Sequence, residues 1–171
     1  GADRLETIGC EKWNVSNVQD FCCTFAACQS ISELDLSKWC MKSARDTSLM
    51  FRFANRMTKL NLGNNKCQCN ENISGMFSGC HWLKNLTLNF TTNLVYDMSE
   101  LFKNCYCLES VNIDSFNTKN VKAMAVKPSK NSAAAIAKLI TIDGNIAELV
   151  YMNSTDAIMK PVLIVAAYEA D

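Results

Sequence analysis

Proline is nearly missing from this chain, with 2 in 171 residues, and glycine is scarce at 6. So few breakers exclude a string of flexible linkers. Net charge is missing too. The 17 basic residues balance 17 acidic ones, and no basic stripe or acidic tail points to nucleic acid or a membrane surface as partner. No run approaches the roughly 20 apolar residues that span a bilayer. The most apolar window, residues 158–167, contains Lys160 and Pro161 and reads as a buried strand. No signal peptide is visible. The chain opens Gly1-Ala2-Asp3 and is inside a repeating pattern by Leu5, as expected of a trimmed fragment with Gly1 left from a tag, so a missing export signal says little about location.

What the chain does have is internal repetition, the feature to look for first. The pattern L-x-x-L-x-L falls at Leu5/Ile8/Cys10, Ile31/Leu34/Leu36, Met57/Leu60/Leu62, Leu83/Leu86/Leu88 and Leu108/Val111/Ile113. The steps are 26, 26, 26 and 25 residues. An aromatic follows at Trp13, Trp39 and Phe116, with Phe90 one place early. A second column, Phe25, Phe51, Phe77 and Phe102, keeps the same steps, and Cys28, Ala54, Cys80 and Cys105 follow it three residues later. Three columns that share one step, including its single shortening, define five copies.

Within a copy, the alternating L-x-L predicts a short strand with one face inward. The next segment changes period. Val18, Phe21, Phe25 and Cys28, like Val95, Met98, Phe102 and Cys105, are spaced i, i+3, i+7, i+10, which predicts short helical turns. Ser16 or Asn17 with Asp20, and Asn93 to Asp97, supply start residues for them. Ala44, Thr47 and Asn70 stand where apolar residues are expected, so those turns should be irregular. One copy cannot cover its own apolar side. Stacked copies bury a continuous column, at roughly 1.5–3 kcal/mol per large side chain.

These residues resemble the leucine-rich repeats of bacterial surface proteins called BspA-like, in the branch with 25- to 26-residue copies found in surface lipoproteins. The segments that carry the resemblance are Leu34-Asp35-Leu36-Ser37-Lys38-Trp39, Ser74-Gly75-Met76-Phe77-Ser78-Gly79-Cys80 and Asp114-Ser115-Phe116-Asn117-Thr118-Lys119-Asn120-Val121. It implies an α/β repeat fold: a leucine-rich-repeat solenoid with a parallel sheet on one face and short helical turns on the other. It also implies a cell-surface or extracellular location and a role in adhesion or partner binding, with no catalytic motif to carry over. Fold resemblance constrains function weakly.

The array is expected over residues 1–126, its last copy truncated. Lys127-Pro128 takes the place of the fifth Met-Phe pair, and residues 127–171 are expected to be a small capping segment. The cap would hide the array's last apolar edge; the alternative is the start of a separate β-rich domain. Residues 132–140 are alanine-rich and suit a short helix. Asp143-Gly144-Asn145 suits a hairpin turn between residues 139–142 and 146–152. Residues 161–168 read as another strand.

Catalytic chemistry is not expected. His81, the one histidine, follows Cys80, but that cysteine lies in a core column, where a thiol acts as a small apolar residue. Cys67-x-Cys69 with Cys80-His81 offers four zinc ligands, yet C-x-C is tighter than the usual C-x2-C. No metal and no cofactor are expected. Ten cysteines in a chain this long favour reduced thiols, although a Cys80–Cys105 bridge between adjacent copies is conceivable. Asn-x-Ser/Thr sequons at Asn14, Asn72, Asn85, Asn89 and Asn153 matter only in a secreting eukaryote.

A partner is expected on the outward strand positions. The central column is Gly9, Asp35, Asn61, Thr87 and Asn112, flanked by Glu33, Lys59, Asn85 and Ser110 on one side and Ser37, Gly63, Asn89 and Asp114 on the other. Asp35, Asn61, Thr87, Asn112, Glu33, Lys59 and Asn85 are the candidate ligand contacts. A polar, flat face suits a protein or glycan on another cell or matrix better than a small molecule. The alternatives are a purely structural spacer, or an enzyme whose site lies in the C-terminal segment. The uncovered first copy could also support self-association.

Overall fold

The computed structural model describes residues 4–65, 67–112, 116–117, 119–121, 137–142 and 145–150. Four three-residue strands carry the L-x-L motif: β1 (Glu33–Asp35), β2 (Lys59–Asn61), β3 (Asn85–Thr87) and β4 (Ser110–Asn112). β1 pairs parallel with β2, placing Leu34 opposite Leu60, and β3 pairs parallel with β4, placing Leu86 opposite Val111. Each partner lies one repeat step away. β2 and β3 lie side by side in separate sheets, and no backbone bond joins Lys84 or Asn85 to Thr58. The first copy's strand motif, residues 5–10, pairs with nothing described. Gly9 stands there in the outward place that Asp35 and Asn61 hold in the next copies, and glycine within a strand weakens it.

The short helical turns expected on the opposite face are not there: no described residue is helical. Each copy instead runs through overlapping β-turns. In the first copy, the N–H groups of Thr24, Ala26 and Cys28 donate to the carbonyls of Phe21, Cys23 and Phe25. The intervening N–H groups of Phe21, Cys23, Phe25 and Ala27 leave the copy and donate to the carbonyls of Asp46, Ser48, Met50 and Arg52 in the next. The same comb joins the second copy to the third, from Thr47 to Phe53, and the third to the fourth, from Ile73 to Gly79. The first and third of these turns need a left-handed residue at their third position. Cys23, Leu49, Gly75 and Glu100 supply it with φ of 58°, 55°, 56° and 56°, and Ala27, Phe53, Gly79 and Asn104 supply a second one with φ of 57°, 60°, 79° and 59°. A left-handed residue every fourth position forbids a helix, yet still turns Phe21 and Phe25 to the same side. That is why the apolar spacing imitates one.

The ribbon begins in each copy with a side-chain cap. Asp20, Asp46, Asn72 and Asp97 accept the N–H two residues on, at 2.8, 2.7, 3.0 and 2.8 Å, and they form a parallel ladder of bridges. Asp20 and Asp97 stood among the start residues the sequence implied, here for a turn ribbon and not a helix; Asp46 and Asn72 were not among them.

Between the two faces runs the core. Phe25, Phe51, Phe77 and Phe102 stack with ring centroids 5.6, 5.6 and 5.7 Å apart and planes within 6°, 7° and 10°. Leu34, Leu60 and Leu86 are buried beside them. Thr47 and Asn70, at apolar positions, are fully buried and satisfy each other at 2.8 Å. With its carboxamide oxygen toward Thr47, Asn70 also donates to the carbonyls of Arg45 and Asn72, at 2.9 and 3.2 Å. The polar pair crosses the joint between two copies, and the ribbon stays regular.

Past the array, β5 (Ala137–Ile142) and β6 (Asn145–Val150) pair antiparallel, Ile142 opposite Asn145. This corrects the expected helix over 132–140, whose last four residues are strand. The strand expected at 161–168 lies outside the described residues.

Candidate functional site

Two repeat steps, from the second copy to the third and from the fourth to the fifth, bring equivalent side chains into contact across the strand face. Strand alternation turns Leu34, Leu60 and Leu86 inward and leaves Glu33, Asp35, Lys59, Asn61, Asn85 and Thr87 exposed. Lys59 Nζ lies 2.7 Å from Glu33 Oε1, and Lys84 lies 3.7 Å from Glu109 one step further on. Ser110 Oγ donates to Asn85 Oδ1 at 2.6 Å. The Asp35 and Asn61 side chains each accept the N–H two residues on, from Ser37 at 2.8 Å and Gly63 at 3.0 Å. The Ser37 side chain and N–H hold the Asp35 carboxyl below its ordinary range, helped by Asn61 and Lys38.

A groove of about 560 Å³ opens on this face. It brings together five of the seven candidate contacts, Glu33, Asp35, Lys59, Asn61 and Asn85, over a floor that includes Ile8, Leu34 and Leu60. Thr87 and Asn112 are not among its walls. Thr7 and Glu11 complete its rim. Sequence reasoning passed over both, although the signal was present: Thr7 is one 26-residue step before Glu33, and Glu11 one step before Ser37. A second recess of about 400 Å³ lies beside Trp39, Cys40, Asn65 and Cys67.

The thiols do structural work. Cys80 Sγ donates to the Phe51 carbonyl at 3.2 Å and Cys105 Sγ to the Phe77 carbonyl at 3.0 Å, each reaching back one copy. Burial pushes the Cys80 thiol well above its ordinary 9.0, with Cys105 adding to the effect, and raises Cys105 and Cys67 to about 12. A thiol held protonated is not a nucleophile near neutral pH. His81 packs against the Tyr106 ring, centroids 4.7 Å apart. All ten cysteines are free. Among the described residues no three Cys, His, Asp or Glu side chains converge as a metal site, and no helix is long and apolar enough to cross a membrane.

Two overlapping stretches, residues 2–77 and 53–130, match the model of one family, described as Mycoplasma protein of unknown function, DUF285. The matches begin 51 residues apart, two repeat steps, as a repeat unit matching twice should. No curated protein matches the chain. No solved structure matches it either. The matched stretches together span residues 2–130 of 171, and the chain belongs to this family, Mycoplasma protein of unknown function, DUF285.

Proposed function

We propose that the chain is a BspA-like leucine-rich-repeat solenoid acting as a non-catalytic binding module at a cell surface. Its partner, a protein or a glycan, lies in the strand-face groove, and residues 127–171 cap the array. The observation that carries this reading is the groove itself. Its walls come from four successive copies, so the side chains that vary from copy to copy, Thr7/Glu11, Glu33/Asp35, Lys59/Asn61 and Asn85, line one continuous surface, while the stacked core beneath repeats. Variable side chains on a rigid scaffold are the usual design of a recognition face.

The test is retention on arrays of matrix proteins and glycans. The variant Asp35→Ala/Asn61→Ala/Asn85→Ala should lose retention while its circular dichroism and denaturation midpoint stay unchanged. Retention equal to wild type would leave the array as a spacer that presents another domain.

A further inference from the structure

The groove is not neutral, although the chain is. Its walls hold three carboxylates, Glu11, Glu33 and Asp35, against one ammonium, Lys59, and that ammonium is already paired with Glu33. The floor is apolar, with Leu34 and Leu60 buried and Ile8 half-buried. β1 also offers a backbone edge. Leu36 N–H donates to Asn61, and the Ser32 carbonyl accepts from Lys59, so alternation turns the N–H and C=O groups of Glu33 and Asp35 away from β2. No described residue bonds them on that side.

We infer that the groove takes an extended, cationic peptide segment of a protein partner, laid along the free edge of β1 with arginine or lysine side chains against Glu11, Glu33 and Asp35. The inference rests on the groove being the binding face and names what binds there. An unpaired strand edge supplies main-chain hydrogen bonds to an extended peptide, and alternate side chains then find the walls. Charge complementarity selects a basic segment over an acidic peptide or acidic glycan.

The experiment titrates the whole chain into fluorescein-labelled peptides that alternate valine with arginine, glutamine or glutamate. The arginine peptide should bind, the glutamate peptide should not, and added salt should weaken binding. Glu33→Gln/Asp35→Asn should weaken it about tenfold by removing two facing charges. Lys59→Gln should tighten it by about threefold by unmasking Glu33. A purely structural role for Lys59 gives no tightening. Glu71→Gln, outside the groove, should change nothing. Equal binding of all three peptides, no binding of the arginine peptide, or indifference to Glu33→Gln/Asp35→Asn would overturn the inference. If the triple groove variant still abolishes array retention, the groove remains the binding face and only its cationic preference is lost. If array retention is also indifferent, the groove reading falls as well.

Discussion

The two faces of the array are built from the same repeat but are not equally continuous. The turn face is joined copy to copy by an unbroken comb of backbone bonds from Phe21 to Gly79, capped by a column of Asp and Asn and backed by stacked phenylalanines. The strand face consists of three-residue strands in two separate pairs, open at β1 and unjoined between β2 and β3. The difference separates two tasks. The turn face and its core hold the copies together, so the outward side chains of the strand face can vary without disturbing the stack.

The largest predicted effect strikes the interior on the thiol side. Burial raises the Cys67 and Cys105 thiols from 9.0 to about 12. Their raised values mean that the stability they hold is fully present below pH 9 and is lost as pH rises toward 12. At pH 11 the two together should cost about 5 kcal/mol, at 1.36 kcal/mol per pKa unit. Denaturation curves at pH 8 and pH 11 measure this, and Cys105→Ala should remove only part of the pH-dependent loss, because Cys67 and Cys80 are raised as well. Next comes Phe77→Ala, which empties the space between two stacked rings and should destabilise by about 3–5 kcal/mol in chemical denaturation.

A smaller effect is expected at the buried polar pair. Asn70→Leu leaves the buried Thr47 hydroxyl without its partner, while the Arg45 and Asn72 carbonyls keep their backbone donors, and should cost about 1–3 kcal/mol. Adding Thr47→Val should recover part of it, a coupling that a double-mutant cycle reads directly. Smaller still, and of opposite sign, is Glu100→Gly. It relieves a left-handed non-glycine residue and should stabilise the turn face by up to about 1 kcal/mol. The converse substitution Gly79→Ala should destabilise, because a Cβ there would lie 2.4 Å from Phe53 Cδ1. On the strand face, Asp35→Ala/Asn61→Ala/Asn85→Ala should shift stability by no more than about 0.5 kcal/mol per site. A larger loss would erase the division between the faces.

The sequence made the repeat step and the strand register readable, because Leu34, Leu60 and Leu86 recur with nothing else to explain them. It also placed most of the groove, since outward strand positions follow from alternation alone. The turn ribbon was misread for a specific reason. Phe21 and Phe25 are four apart both in a helix and in two linked β-turns, so side-chain period cannot separate them. The distinguishing signal is left-handed backbone at two columns, and only the third copy marks both with glycine, at Gly75 and Gly79. Elsewhere Cys23, Leu49 and Phe53 adopt it at a cost the neighbouring copies must offset. The Thr47–Asn70 pair was read as two defects because its partners are 23 residues apart and meet only after stacking. Groove charge was likewise hidden, since Glu11 belongs to a copy whose strand does not form.

Native-state hydrogen exchange tests the central claim most directly. The amides of Phe51, Phe53, Phe77 and Gly79 donate across copies and should exchange only through global unfolding, whereas Lys84 and Asn85, facing the unjoined gap, should exchange much faster through local fluctuation. Fast exchange at the four turn-face amides together with protection of Lys84 and Asn85 would place the continuous ladder on the strand face and contradict the account.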